Sequence, residues 1–207
     1  MVSRGMPEGS TLIKYSAGHL AGTKFASKTL EDFVWTSEND YVREVVFLLV
    51  GLDKWEKGIG FVGDVGVGKT HLLAALYKNR VWRALYHGGD LCVWVWFRDL
   101  VGEALKDRQF LREFVSEYDL FFVDDVWSIG ASLDEKNVLR ELVLRLYDAG
   151  KVFSYTANSS FEEWDIDERV RDRLREMVLE LRVSGTSYRE ILRHGMAFDL
   201  GSVGKEG

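Results

Sequence analysis

Gly63-Asp64-Val65-Gly66-Val67-Gly68-Lys69-Thr70 satisfies G-x-x-x-x-G-K-[ST], between an apolar run, Ile59 to Val62, and a helical pattern that begins at Thr70. Strand, glycine turn, then helix is the context a phosphate-cradling loop requires. Glycines let the backbone curl so that its N–H groups face phosphate oxygens at a helix N-terminus. Lys69 then supplies a point charge to the β- and γ-phosphates, and the Thr70 hydroxyl can join a Mg²⁺ shell. His71 follows directly and completes the stretch assigned to nucleotide contact, Gly63 to His71. A nucleoside triphosphate is the implied ligand.

The rest of the chain alternates in the same manner. Leu72, Leu73, Leu76 and Tyr77 recur at the helical period, so the helix after the loop packs through that stripe. Leu91 to Phe97, Leu120 to Val123, Lys151 to Thr156 and Val178 to Val183 are further runs of strand length, the first two of them continuously apolar, as suits strands covered on both faces. Helical patterns run from Asn39 to Leu49, around Leu100 to Lys106 and Phe110 to Tyr118, through Leu139, Leu142, Val143 and Leu146 to a stop at Gly150, and from Ile166 to Met177. This order predicts a parallel three-layer α/β sandwich.

At 207 residues the chain suits one such domain with a buried core. Met1 to Lys28, rich in Gly, Ser, Thr and Lys, reads as a flexible or surface-draped arm (1–28) before the main domain (29–195) and a short tail (196–207). A formal charge of -6 gives no global basic field for nucleic acid, so DNA contact would need a local patch or residues shared among subunits. Cys92 is the single cysteine, which excludes an intrachain disulfide and a cysteine-based zinc site and fits a reducing cytoplasm. The longest apolar runs fall far short of the roughly 20 residues a bilayer span needs, so no membrane association is expected.

Chemistry gathers where the strands end. Asp124 and Asp125 close the run Leu120 to Val123, at the C-terminal edge where open α/β sheets bind ligands. There Asp124 would hold Mg²⁺, with Thr70, and Asp125 would polarise the water attacking the γ-phosphate. Asn158 follows the next strand; its amide can both donate and accept, which suits it to orient that water or the γ-phosphate, although an asparagine in this place is also an ordinary turn residue. Asp167 to Arg175 carries four arginines on one predicted helix. Most should be solvated or paired with acids, while one could serve a neighbouring subunit's γ-phosphate. Phe33, Val34 or Tyr41 could cover a purine ring, or simply pack.

Taken together, GDVGVGKTH, LFFVDD, YTAN, DERVRDRLRE and GTSYRE resemble the AAA+ ATPases of the DnaC/DnaI helicase-loader group, with the IstB-like transposition ATPases as close relatives. The resemblance spans about Leu30 to Ile191. It implies a five-stranded sheet in the order 5-1-4-3-2 without a full lid domain. Arg173 would be the trans-acting finger, Arg189 a second phosphate sensor, and Asn158 the first. It further implies an ATP-dependent homo-oligomer, a spiral or ring, holding single-stranded DNA near Trp94 to Phe110, where Arg98, Lys106 and Arg108 could neutralise phosphates. Trp94 and Trp96 are better suited to an edge-strand core. A replicative helicase is the implied protein partner, yet residues 1–28 are far shorter than the helicase-gripping domain of such loaders. An IstB-like helper, a P-loop small-molecule kinase and a non-hydrolysing ATP switch are the other readings this pattern admits.

Overall fold

The five runs of strand length form one sheet. In the computed structural model, which describes residues 20, 22–128 and 130–185, the strands are β1 (Gly58–Val62), β2 (Cys92–Trp96), β3 (Leu120–Asp124), β4 (Val152–Ala157) and β5 (Val178–Arg182). Every pairing is parallel, in the order β2-β3-β4-β1-β5. This is the 5-1-4-3-2 arrangement. The helices are α1 (Asp40–Gly51), α2 (Lys69–His87), α3 (Phe97–Lys106), α4 (Phe110–Glu117), α5 (Leu133–Asp148) and α6 (Glu168–Met177), with short 3₁₀ turns at Ser37–Asn39 and Phe161–Glu163.

Strand alternation sorts the core into two layers. Leu120 and Phe122 join Ile59, Phe61 and Trp94 beneath α1 and α2, whose Val42, Val46, Leu72, Leu73 and Leu76 complete that side. Phe121 and Val123 point the other way with Val93 and Val95, toward Leu100, Phe114, Leu139, Leu142, Val170 and Leu174 of α3 to α6. Each such side chain, fully buried, stabilises the fold by about 1.5–3 kcal/mol before entropy is counted. Trp94 lies wholly inside, so it is core and unavailable to stack on a base. Trp96 is half-buried against the Phe25 ring. Around it, Arg98 and Arg108 are exposed, whereas Lys106 is ion-paired with Glu103.

Caps set the helix ends. Ser132 accepts a hydrogen bond from the Glu135 backbone while the Glu135 side chain returns one to Ser132, so α5 begins six residues before its first fully buried leucine, Leu139. Gly150, at φ 62°, ends it in a left-handed turn that brings Lys151 N–H onto the Leu146 carbonyl. Of the arm, residues 20 and 22–28 are draped over the domain: Leu20 is buried, and the Lys78 ammonium of α2 donates to the carbonyls of Phe25, Ala26 and Lys28.

Gly58 starts β1 so close to β4 that an added Cβ would sit 1.7 Å from the Phe153 carbonyl oxygen. That obstacle is backbone and cannot rotate away. Gly58→Ala is expected to destabilise the domain by about 3 kcal/mol or more, read as a lowered midpoint in chemical denaturation. A wild-type midpoint would disprove the close approach.

Candidate functional site

Parallel register brings the ends of three central strands to one edge. Val62 pairs with Ala157, and β3 ends beside β4 at Val123 and Tyr155, so Gly63, Asp124 and Asn158 leave the sheet together. The loop then needs backbone only glycine adopts readily: Gly63, Gly66 and Gly68 have φ of 146°, 93° and 105°. A Cβ on Gly63 would lie 2.2 Å from the Val183 carbonyl oxygen, and one on Gly68 would strike the Phe33 ring. Asp64 and Val65 form the exposed outer side of the turn, with Gly66 and Val67 half-buried behind them.

Lys69, only 8% exposed, is held at the centre. Its ammonium donates to the Gly63 and Asp64 carbonyls at 2.7 Å each and to Asn158 Oδ1 at 3.1 Å. Burial draws its pKa below the ordinary lysine value, opposed by the charges of Asp125, Asp124 and Asp64. Beside it, the Thr70 hydroxyl donates to Asp124 Oδ2 at 3.2 Å. Asp124 is 2% exposed, and burial pushes its pKa up to about 6 despite the hydroxyls of Thr156 and Thr70 and the nearby Lys69. Asp125, next along, is exposed and left-handed at φ 58°.

The three inward glycines, an ammonium and a buried carboxylate suit a phosphate chain accompanied by a hard cation. Thr70 and Asp124 offer oxygen donors only, the set magnesium takes, and a magnesium ion held by so few protein atoms draws its other ligands from phosphate and water. Among the described residues no cluster of three or more His, Cys, Asp or Glu side chains forms a separate metal centre.

Alongside the loop lies a cavity of about 410 Å³, walled by Phe25, Phe33, Val34, Thr36, His71 and Gly185 among others. Of the three aromatic or apolar residues considered for a purine, Phe33 and Val34 line it; Tyr41 is exposed and outside the lining. His71 touches the Phe33 ring edge-on, and its Nε2 lies 2.6 Å from the Thr29 carbonyl. A carbonyl only accepts, so the ring proton sits on Nε2; burial lowers the pKa of this imidazole. The opposite wall is fixed by Asn39, buried, whose Nδ2 donates to the Ser184 carbonyl at 2.7 Å and whose Oδ1 accepts from Ser184 N–H at 2.9 Å.

The α6 arginines separate by their partners. Arg171 and Arg175 are engaged with Glu162 and Glu168, and Arg175 also with Asp172. Arg173 lies over the Tyr147 ring at 4.0 Å and meets Glu176 at 3.3 Å. It does not join Lys69 within its own chain. Arg169 is exposed and makes no ion pair among the described residues. Arg189 and the tail lie outside the described residues, as does the question of a lid. Thr156, which the sequence pattern gives no role, is buried and hydrogen-bonds Asp124 and Asp125 at once. Its only sequence signal is a hydroxyl residue near the end of a strand that also carries Ser154.

A family model described as IstB-like ATP binding protein matches residues 16–194. The chain belongs to this family. No curated protein matches it. Among solved structures, the IstB-like chain is similar to a DnaC helicase loader (TM-score 0.64, 20% identity, covering 78% of this chain and 99% of that one). It is also similar to DnaI (0.61, 17%, covering 79% and 91%). A third likeness is to AMPPCP-bound DnaA from Aquifex aeolicus (0.60, 22%, covering 82% and 55%). The chain thus spans only about half of that DnaA and 55% of a DNA replication initiation factor. At these identities the likeness speaks for the fold alone, a three-layer α/β P-loop domain, and the family is one of ATP-binding proteins.

No described helix is long and apolar enough to cross a membrane. Cys92 is half-buried, and burial pushes its thiol up to about 12, an unreactive state.

Proposed function

We propose that this IstB-like protein is a magnesium-dependent ATPase that assembles on single-stranded DNA in an ATP-dependent way and acts as a helicase loader in DNA replication. The observation that carries the ATPase reading is the convergence of Lys69 on Asn158 and of Thr70 on Asp124 around a glycine-rich loop. In that reading Lys69 leaves its loop carbonyls to meet the β- and γ-phosphates, and the loop's N–H groups take up the remaining phosphate charge. Phe33 and Val34 cover the base. Asp125, exposed at the mouth, accepts the proton of the attacking water while Asn158 orients it. Thr70 and Asp124 hold the magnesium ion; the chemistry it supplies when bound is neutralisation of charge on the phosphate oxygens. Arg173 of a neighbouring molecule, and Arg189 of the same one, contact the terminal phosphoryl group.

A second reading keeps this chemistry and changes the task. The match to an IstB-like family model favours a helper ATPase that remodels DNA for a transposase. Phosphate release measured with single-stranded and with duplex oligonucleotides separates the two. Stimulation of about tenfold or more by single strands is expected, with duplex weaker; the reverse order favours the transposition helper. Transfer of the phosphoryl group to a small acceptor instead of water would overturn both in favour of a kinase.

A further inference from the structure

We infer that Thr156 is a positioning residue that sets Asp124 and Asp125 relative to each other. The catalytic part of this inference rests on the ATPase reading above; its structural part does not. Thr156 is 2% exposed at the end of β4. Its hydroxyl donates to Asp124 Oδ1 at 2.6 Å and accepts from Asp125 N–H at 2.9 Å, while its backbone carbonyl accepts from Val126 N–H at 2.9 Å. One residue therefore engages three consecutive residues of the acid-bearing turn.

The direction of these bonds is forced. A carboxylate only accepts and an amide N–H only donates, so the single hydroxyl proton must face Asp124 and a lone pair must face Asp125. Asp125 is the only non-glycine residue with positive φ among those described. L side chains adopt that conformation rarely, and it persists where neighbours hold it. Here the left-handed turn separates two adjacent acids, leaving Asp124 buried against Thr70 and Asp125 exposed. Without the hydroxyl, Asp124 Oδ1 loses its shortest partner, and the Asp125 amide loses the bond that favours its turned geometry.

Thr156→Val keeps the shape and removes the hydroxyl; Thr156→Ser keeps the hydroxyl and removes a methyl group. In protein free of nucleotide and magnesium, exchange of the Asp125 amide proton is expected to quicken by about tenfold in the valine variant relative to the amides of β1. In steady-state hydrolysis the valine variant should lose about 10²-fold in kcat, with the Kd for a non-hydrolysable ATP analogue held within about threefold. The serine variant should stay close to wild type in both. Should the valine variant not fold, Thr156→Ala against Thr156→Ser makes the same comparison. An unchanged Asp125 exchange rate, a wild-type kcat in the valine variant, or a serine variant as impaired as valine would each overturn the assignment. Absence of phosphate release from wild type would instead refute the ATPase reading, and the exchange rates alone would then decide the role of Thr156.

Discussion

Asp124→Asn is expected to lower ATP hydrolysis by about 10²-fold or more and, at pH 8, to make the nucleotide-free protein more stable. The two effects share a cause. Asp124 is almost wholly buried, and its pKa rises from 3.8 to about 6 because desolvation outweighs the two threonine hydroxyls and Lys69. The folded state therefore holds the proton more tightly than the unfolded state. Its contribution to stability is complete below about pH 4 and is lost as pH rises through about 6. Above that, the ionised carboxylate costs the empty protein up to about 3 kcal/mol. Asparagine carries no charge, and its amide oxygen can still accept from Thr156 if the Thr70 hydroxyl turns to accept from the amide nitrogen. Urea denaturation should give the variant a gain of about 1–3 kcal/mol at pH 8 that shrinks toward zero at pH 4. A loss of stability at pH 8, or hydrolysis at the wild-type rate, would contradict the assignment. The expected pairing, stability gained as hydrolysis is lost, would mark Asp124 as a group kept for its charge.

What the sequence made legible follows from which signals are local. The glycine loop and the strand before Asp124 could be read directly, because each declares itself within about eight consecutive residues. Sheet order came with the family resemblance, and the register placed Gly63, Asp124 and Asn158 at one edge as that order requires. Thr156 could not be found in this way, since its partner Asp124 lies 32 residues earlier and nothing near Thr156 marks the pairing. Residues 22–28 read as an arm on composition, yet Lys78 gathers three of their carbonyls from across the chain. The Ser132-x-x-Glu135 capping box was, by contrast, present in plain sequence and marks the start of α5 ahead of its apolar stripe. Among the α6 arginines, helical spacing puts acids within reach of all four, so only the packed side chains distinguish Arg171 and Arg175, each tied to two or more acids, from Arg173, which among the described residues pairs with Glu176 alone.

Arg173→Ala should reduce DNA-stimulated hydrolysis by about 10³-fold while leaving ATP affinity within about threefold of wild type. The residue's present surroundings explain why it can be spared from the fold. Its guanidinium lies over Tyr147 and touches Glu176 at a partly exposed site, and pairs of this kind are worth at most about 1 kcal/mol. A neighbouring γ-phosphate offers a guanidinium much more, through charge developed in the transition state. If Arg173 serves the next molecule, the defect belongs to an interface and can be complemented. Mixing Arg173→Ala with Lys69→Ala, each nearly inactive alone, should restore part of the stimulated rate, because some interfaces then pair an intact Lys69 with an intact Arg173. Complementation rising with protein concentration is the expected pattern. Two inactive variants that remain inactive when mixed, although both still assemble with DNA and ATP, would place the function of Arg173 within its own chain. Arg169, exposed on the same helix, would then be the next guanidinium to test as the trans-acting group.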